Sequence, residues 1–189
     1  KLEAGDTMNA LDFLARFKAT EGKVELGKNV VVIGGGNTAM DTARAAKRNA
    51  GVEKVSLVYR RTRRYMPADE EELVMAVEDG VEFAELLAPV KLENGVLYCK
   101  KMVLGDMDAS GRRGVVETDE TVEVPADTVI AAVGEKVPGA FYESFGIALD
   151  SRRRPQVNQE TLETSVKGVY VAGDGLYGPA TVVEGIRDG

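Results

Sequence analysis

The chain has 189 residues, 44% hydrophobic and 29% charged, with 24 Lys and Arg against 31 Asp and Glu for a net charge of −7. That composition is globular, long enough for one good core or two modest ones, and its acidic balance argues against nucleic acid as a partner. The absence of histidine excludes Ser–His–Asp and Cys–His nucleophile systems and imidazole metal sites, so no metal site is expected and any chemistry leans on a cofactor.

Residues 7–20, TMNALDFLARFKAT, place Ala10, Leu11, Leu14 and Phe17 at helical spacing, which predicts a helix N-capped by Asp6 or Thr7. Gly22 and Gly27 punctuate the chain, and residues 29–33 (NVVVI) read as a strand buried on both faces. Beyond three glycines, Ala39, Ala43, Ala46 and Ala50 recur at steps of four, three and four, predicting a helix that lies close on a sheet and ends at Gly51. Residues 54–59 (KVSLVY) give a second buried strand and complete a βαβ unit. Pro67 and the acids at 69–72 suit the start of another helix, with Leu73, Val74 and Val77 on its apolar side. Short strand-like stretches from about 81 to 125, around the polar turn DMDASGRRG, predict an antiparallel ribbon, and DTVIAAVG a buried strand that rejoins the parallel sheet. Residues 168–172 read as a final strand, and PATVVEGIRDG as an opening helix with Val182, Val183 and Ile186 toward a core. A chain that starts at Lys and stops inside a predicted helix is expected to be a piece of something longer.

Gly34, Gly36 and Ala39 fit G-x-G-x-x-A between a strand and a helix, the context in which this spacing binds a dinucleotide. The first glycine permits the tight turn, the second lets a pyrophosphate approach the backbone, and Ala39 permits close helix–strand packing. Amides at the helix start face the anion, and Asn37 and Thr38 are placed to add hydrogen bonds. The alternative is a tight turn between packed elements and nothing more. Residues 54–64, KVSLVYRRTRR, lack the acid that would accept a ribose 2′-hydroxyl; Arg60 and Arg61 leave the strand end instead, with Arg63 and Arg64 close behind. Arginine's planar fork matches a 2′-phosphate, so NADP(H) is favoured over NAD(H); a solvated basic loop paired with the acids at 69–72 is the competing reading. Cys99 stands alone, which excludes disulfides and CxxC redox pairs and leaves it a buried small hydrophobe. No apolar run approaches the roughly 20 residues of a membrane span and the amino terminus is not signal-like, so a cytoplasmic location with no membrane partner is expected.

VYVAGDGLYGPATVVEGIRDG resembles the flavin-binding end of two-dinucleotide-domain flavoproteins, and DTVIAAVGEKVP resembles the segment by which they return from the NAD(P) domain to the FAD domain. With GGGNTAMD followed by VYRR and MPA, the chain from about Asp6 to Gly189 resembles the glutamate synthase small-subunit group. That group includes glutamate synthase β subunits, the flavin half of dihydropyrimidine dehydrogenase, transhydrogenase-type ferredoxin oxidoreductases and selenate reductase-type subunits. Its members also carry an amino-terminal FAD-binding GxGxxG after a cysteine-rich iron–sulfur segment, and this chain has neither; thioredoxin reductases need a CxxC that Cys99 cannot form.

The resemblance implies an α/β fold: a Rossmann-like NAD(P)-binding domain over 28–134, with a parallel sheet and an antiparallel ribbon, inserted in a partial FAD-binding domain made of 1–27 and 135–189. It implies that Gly34, Gly36, Asn37, Thr38 and Ala39 hold the pyrophosphate and Arg60 and Arg61 the 2′-phosphate. Gly134 would border the nucleotide groove, and Gly173, Asp174, Thr181 and Val182 would serve FAD. The implied parent is an NADPH-dependent flavin oxidoreductase that passes hydride from NADPH to FAD. Electrons would then continue to iron–sulfur clusters in missing portions of the parent or to a partner redox subunit. The isolated piece is expected to be inactive, and a non-catalytic NADPH-sensing module is the alternative. No proton-transferring residue is named.

Overall fold

The computed structural model describes residues 2, 4–107, 113–134, 137–178 and 182–188. Two compact units divide the chain, Lys1–Val133 and Gly134–Gly189.

The first unit is built on strands that alternate their burial between two faces. β1 (Met8–Asn9), β2 (Asn29–Gly34), β3 (Lys54–Tyr59), β4 (Glu82–Glu85) and β8 (Thr128–Ala132) form a parallel sheet in the order β1-β8-β2-β3-β4. Val30, Val32, Val55, Leu57 and Ile130 face one core with helices α1 (Ala10–Ala19), α2 (Asn37–Arg48) and α3 (Glu70–Glu78). Val31, Val58 and Val129 face the other, covered by the antiparallel ribbon β5 (Leu87–Glu93), β6 (Val96–Met107) and β7 (Arg113–Pro125) through Leu87, Leu97, Cys99 and Val124. A parallel sheet covered on both sides needs continuous apolar strands, which is why NVVVI and KVSLVY read as they do. Arg44 and Arg48 of α2 close on Asp79 at 2.8 and 2.6 Å and tie α2 to the end of α3.

Several expectations need correction. Residues 82–85 join the parallel sheet as its edge rather than the ribbon, because α3 returns the chain alongside β3, where one open side suits the half-exposed Phe83 and Ala84. Asn9, not Asp6 or Thr7, caps α1: its Oδ1 accepts from the Leu11 and Asp12 amides at 2.8 and 3.1 Å. Ala10 and Phe13 are the buried residues of α1 while Leu11 is exposed, and α3 buries Leu73 and Ala76 while Val74 and Val77 face out. α2 ends at Arg48 with Asn49 as its C-cap, so Gly51 lies beyond it and Ala50 is exposed. Residues 1–27, expected beside the flavin part, fall in the first unit, because β1 pairs with β8 and Phe13 and Leu26 enter its core.

The second unit contains α4 (Gly139–Ser144), α5 (Asp174–Tyr177) and α6 (Val182–Asp188). Tyr142, Ile147, Pro155 and Leu176 are buried, and the Tyr142 hydroxyl donates to the Gly175 carbonyl at 2.6 Å. The strand expected at 168–172 is reduced to a single bridge, Glu163 with Tyr170, since no neighbouring strand among the described residues extends the pairing. Val182, Val183 and Ile186, expected toward a core, are 74–79% exposed. Among the described residues no helix is long and apolar enough to cross a membrane.

Burial pushes the Cys99 thiol up to about 11. A thiol reagent at neutral pH should therefore leave the native chain unmodified and react fully once denaturant is added, followed by mass spectrometry. Asp127 accepts hydrogen bonds from the Asn29 and Lys28 amides at 2.8 and 2.9 Å, which hold its carboxyl below the usual carboxylate range. Because the folded state resists protonation, this contribution is present above about pH 4 and is lost as pH falls through the depressed value. The stability gap between wild type and Asp127→Ala, from denaturant melts, should be about 1–2 kcal/mol at neutral pH and shrink in acid.

Candidate functional site

The carboxyl ends of β8, β2 and β3 lie side by side, and the chain leaves β2 toward β3 on one side while β8 enters on the other. The crevice at such a reversal of strand order is where open α/β sheets bind ligands. The glycine loop occupies it, and its three glycines differ in what they face. An added Cβ on Gly34 would stand 2.5 Å from the Ala132 carbonyl oxygen and 2.9 Å from the Ala39 methyl, so strand, neighbouring strand and helix meet there with no room to spare. On Gly35 it would overlap the Tyr59 ring. On Gly36 it would meet nothing within 4 Å, and φ −98° there suits any residue.

Gly36 is also the N-cap of α2 and brings no side chain to cap it. The Ala39 and Met40 amides already donate to the Gly36 carbonyl at 2.9 and 3.3 Å. Those of Asn37 and Thr38 head the first turn, where an α-helix has no acceptor of its own. Bare backbone, amides at a helix start and open space at Gly36 fit a diphosphate, whose oxygens would take the place a side chain would fill.

The other expected residues are placed as follows. Arg60 is exposed, and among the described residues its side chain has no ion-pair or hydrogen-bond partner. Arg61 is half-buried, with Nε donating to the Arg113 carbonyl at 3.2 Å. Arg63 pairs with Glu70 at 2.7 Å, so the pairing of basic loop with acidic stretch is present at that one residue, while Arg64 is exposed without a partner among the described residues. Asn37 is exposed, and its side chain is engaged with Asp69: Oδ1 accepts from the Asp69 amide at 3.0 Å and Nδ2 donates to the Asp69 carboxylate at 3.2 Å. Gly34, Gly36, Asn37, Thr38, Ala39, Arg60 and Arg61 are thus brought to one edge of the first unit.

Gly134 opens the second unit two residues past β8, with φ +107°. Gly173 is the N-cap of α5 at φ +56°, a conformation that favours glycine, and Asp174 begins the helix exposed. Val182 starts α6, and Thr181 lies outside the described residues. The sequence reading missed Gly35, Tyr59 and Asp69, whose roles depend on partners distant in the chain. Among the described residues no group of three or more His, Cys, Asp or Glu is arranged to hold a metal ion.

The pyridine nucleotide-disulphide oxidoreductase family matches residues 4–189, and the chain belongs to it. Over 188 residues the chain is 43% identical to YgfK of Escherichia coli (strain K12), an oxidoreductase by name, covering 97% of this chain and 18% of that protein. It is 37% identical to the glutamate synthase [NADPH] small chain of Azospirillum brasilense, over 98% of this chain and 42% of that one. The chain therefore spans less than half the length of these relatives. The structure of Mycobacterium tuberculosis FprA in complex with NADPH shares the fold, with TM-score 0.72 and 19% identity over 97% of this chain and 56% of that one.

The glycines should separate by substitution. Gly34→Ala and Gly35→Ala should each cost about 1–3 kcal/mol in denaturant melts through overpacking. Gly36→Ala should cost less, about 1 kcal/mol or below, which is the preference of an N-cap for glycine over alanine and involves no overpacking.

Proposed function

We propose that the first unit of this family member binds NADPH at the glycine loop and orients it for a flavin carried by the whole protein, as part of an NADPH-dependent oxidoreductase. The observation that carries the reading is the open position at Gly36, a glycine that neither packing nor backbone conformation requires. The amides of Asn37 and Thr38 hold the diphosphate. Gly34 and Ala39 let the helix approach closely enough to present them. Arg60, with no partner to give up among the described residues, and Arg61 take the 2′-phosphate.

Nicotinamide and flavin, when bound, supply the hydride chemistry. The chain's own part is binding and orientation, which suits a sequence without histidine. The second unit, with Gly173, Asp174, Thr181 and Val182, is assigned to the flavin side. Onward electron transfer to iron–sulfur clusters or to a partner subunit belongs to parts of the whole protein outside this chain. The names of the longer relatives, a glutamate synthase small chain among them, support that division.

Calorimetric titration with NADP⁺ and NAD⁺ tests the reading. The wild-type chain should prefer NADP⁺, and Arg60→Ala with Arg61→Ala should abolish the preference while NAD⁺ affinity stays within about threefold, since phosphate recognition is lost without touching the diphosphate loop. Gly36→Val should weaken both coenzymes alike. An unchanged preference in the arginine variant would move the 2′-phosphate site elsewhere.

A further inference from the structure

The segment between β3 and α3 is tied to the glycine loop at both ends. At the near end the Tyr59 ring fills the space beside Gly35, and its hydroxyl donates to the Tyr65 carbonyl at 2.8 Å. At the far end the Ala68 amide donates to the Gly35 carbonyl at 3.0 Å. One residue on, Asn37 and Asp69 exchange hydrogen bonds at 3.0 and 3.2 Å. Residues 60–68 thus form a lobe closed upon the glycine loop, and the lobe carries Arg60, Arg61 and Arg64.

Two features of the far end ask for an explanation. Asp69 is the N-cap residue of α3, yet its side chain makes no capping bond and is spent on Asn37 instead. A carboxylate beside an anion site also opposes the ligand by its charge, so its presence is explained by the geometry it enforces. Asn37, the residue that leads α2, has its carbonyl oxygen and an amide hydrogen committed to the same partner, 32 residues away in the chain.

We infer that Asn37 and Asp69 are positioning residues for coenzyme discrimination: their reciprocal clamp holds the arginine lobe at a fixed distance from the first turn of α2. Diphosphate and 2′-phosphate are then recognised together as a rigid pair, and neither side chain of the clamp touches the coenzyme. The inference rests on the assignment of Arg60 and Arg61 to the 2′-phosphate. Without the clamp the lobe keeps its anchors at Tyr59 and Ala68 and its bonds from Arg61 and Arg63 to Leu86 and Glu85, but loses the side-chain tie that sets its distance from the first turn of α2, which weakens the 2′-phosphate contact and spares the rest.

Titration of the full chain with 2′,5′-ADP and with 5′-AMP reads this directly. Asp69→Ala should lose about tenfold in affinity for 2′,5′-ADP with 5′-AMP held within about twofold, and Asn37→Ala, at a residue that also serves the phosphate loop, should lose more for 2′,5′-ADP than for 5′-AMP. Asp69→Asn should keep the wild-type ratio, because its side-chain oxygen still accepts from Asn37. Both Asp69 variants remove the same charge, so their difference isolates the hydrogen bond, and a purely electrostatic role would tighten 2′,5′-ADP in both. Equal weakening of the two ligands by Asn37→Ala would make Asn37 a direct phosphate ligand and overturn the clamp. A wild-type preference for 2′,5′-ADP that survives both alanine variants would overturn the clamp alone. A wild-type chain without that preference overturns the arginine assignment, and the clamp's role with it. Should Asn37→Ala fail to fold, the two Asp69 variants decide.

Discussion

The first unit turns on how closely three backbones meet at Gly34. A side chain there would stand 2.5 Å from the carbonyl of Ala132 and against the methyl of Ala39, so β2, β8 and α2 can converge only because that carbon is bare. Convergence sets the rest. β8 takes the place beside β2, α2 lies down with Ala39, Ala43 and Ala46 fully buried against the sheet, and the first turn of α2 ends up over the carboxyl edge at the reversal of strand order. Small residues on that stripe are a consequence of the distance, since a larger side chain at any of them would lift the helix and carry its amides away from the edge.

From this constraint the three glycines acquire different meanings. Gly34 and Gly35 are explained by the protein's own atoms, the strand and helix in one case and the Tyr59 ring in the other. Gly36 is explained by neither, which is why the site reading rests on it. The electrostatics agree with an anion. The chain carries −7 overall, yet the two acids that open α3 beside the glycine loop are engaged, Asp69 with Asn37 and Glu70 with Arg63. The helix amides and the guanidinium groups of Arg60 and Arg64, without partners among the described residues, are a local positive feature on an otherwise acidic chain.

Much of this was legible in the sequence because it is local. NVVVIGGGNTA holds a strand, a turn and a helix start within one stretch, and KVSLVY carries Val55, Leu57, Val58 and Tyr59 within six residues. Legibility failed where a choice depended on distant partners. Helical spacing in α1 and α3 admits more than one apolar stripe, and the one that wins places small Ala10 and Ala76 inward with Phe13 and Leu73, leaving Leu11 and Val74 to solvent. VEFAE alternates like a ribbon strand and becomes a parallel edge only because α3 delivers it beside β3. Asn9 outcompeted Asp6 and Thr7 as the cap because the helix begins one residue after it. In the second unit, residues 168–172 and α6 have strand-like and amphipathic patterns, but patterning alone supplies neither a neighbouring strand nor a surface to cover. The commitment of Asn37 to Asp69 left no trace in local sequence at all.

Sheet geometry gives the candidate site its ruler. β2 and β3 are adjacent and in register, Ile33 opposite Val58, so the glycine loop and the arginine segment leave the sheet one strand spacing apart, about 4.8 Å. That spacing is fixed by backbone hydrogen bonds and by the two cores, and is insensitive to surface substitutions. The pairing of β3 ends at Tyr59; beyond it Met66 and Ala68 pack against the core, while the arginine-bearing stretch is held by hydrogen bonds. Its path is set by the Leu86 amide on the Arg61 carbonyl, by the Arg63 amide on Glu85, and by the return to the glycine loop at Ala68 and Asp69, which bond the Gly35 carbonyl and the Asn37 side chain. In the proposed reading, recognition of the two phosphate groups is referred to a single origin, the backbone from Gly34 to Asn37. A change in that loop would alter both halves of the site together, whereas a change in Asp69 would alter their relation and leave each half intact.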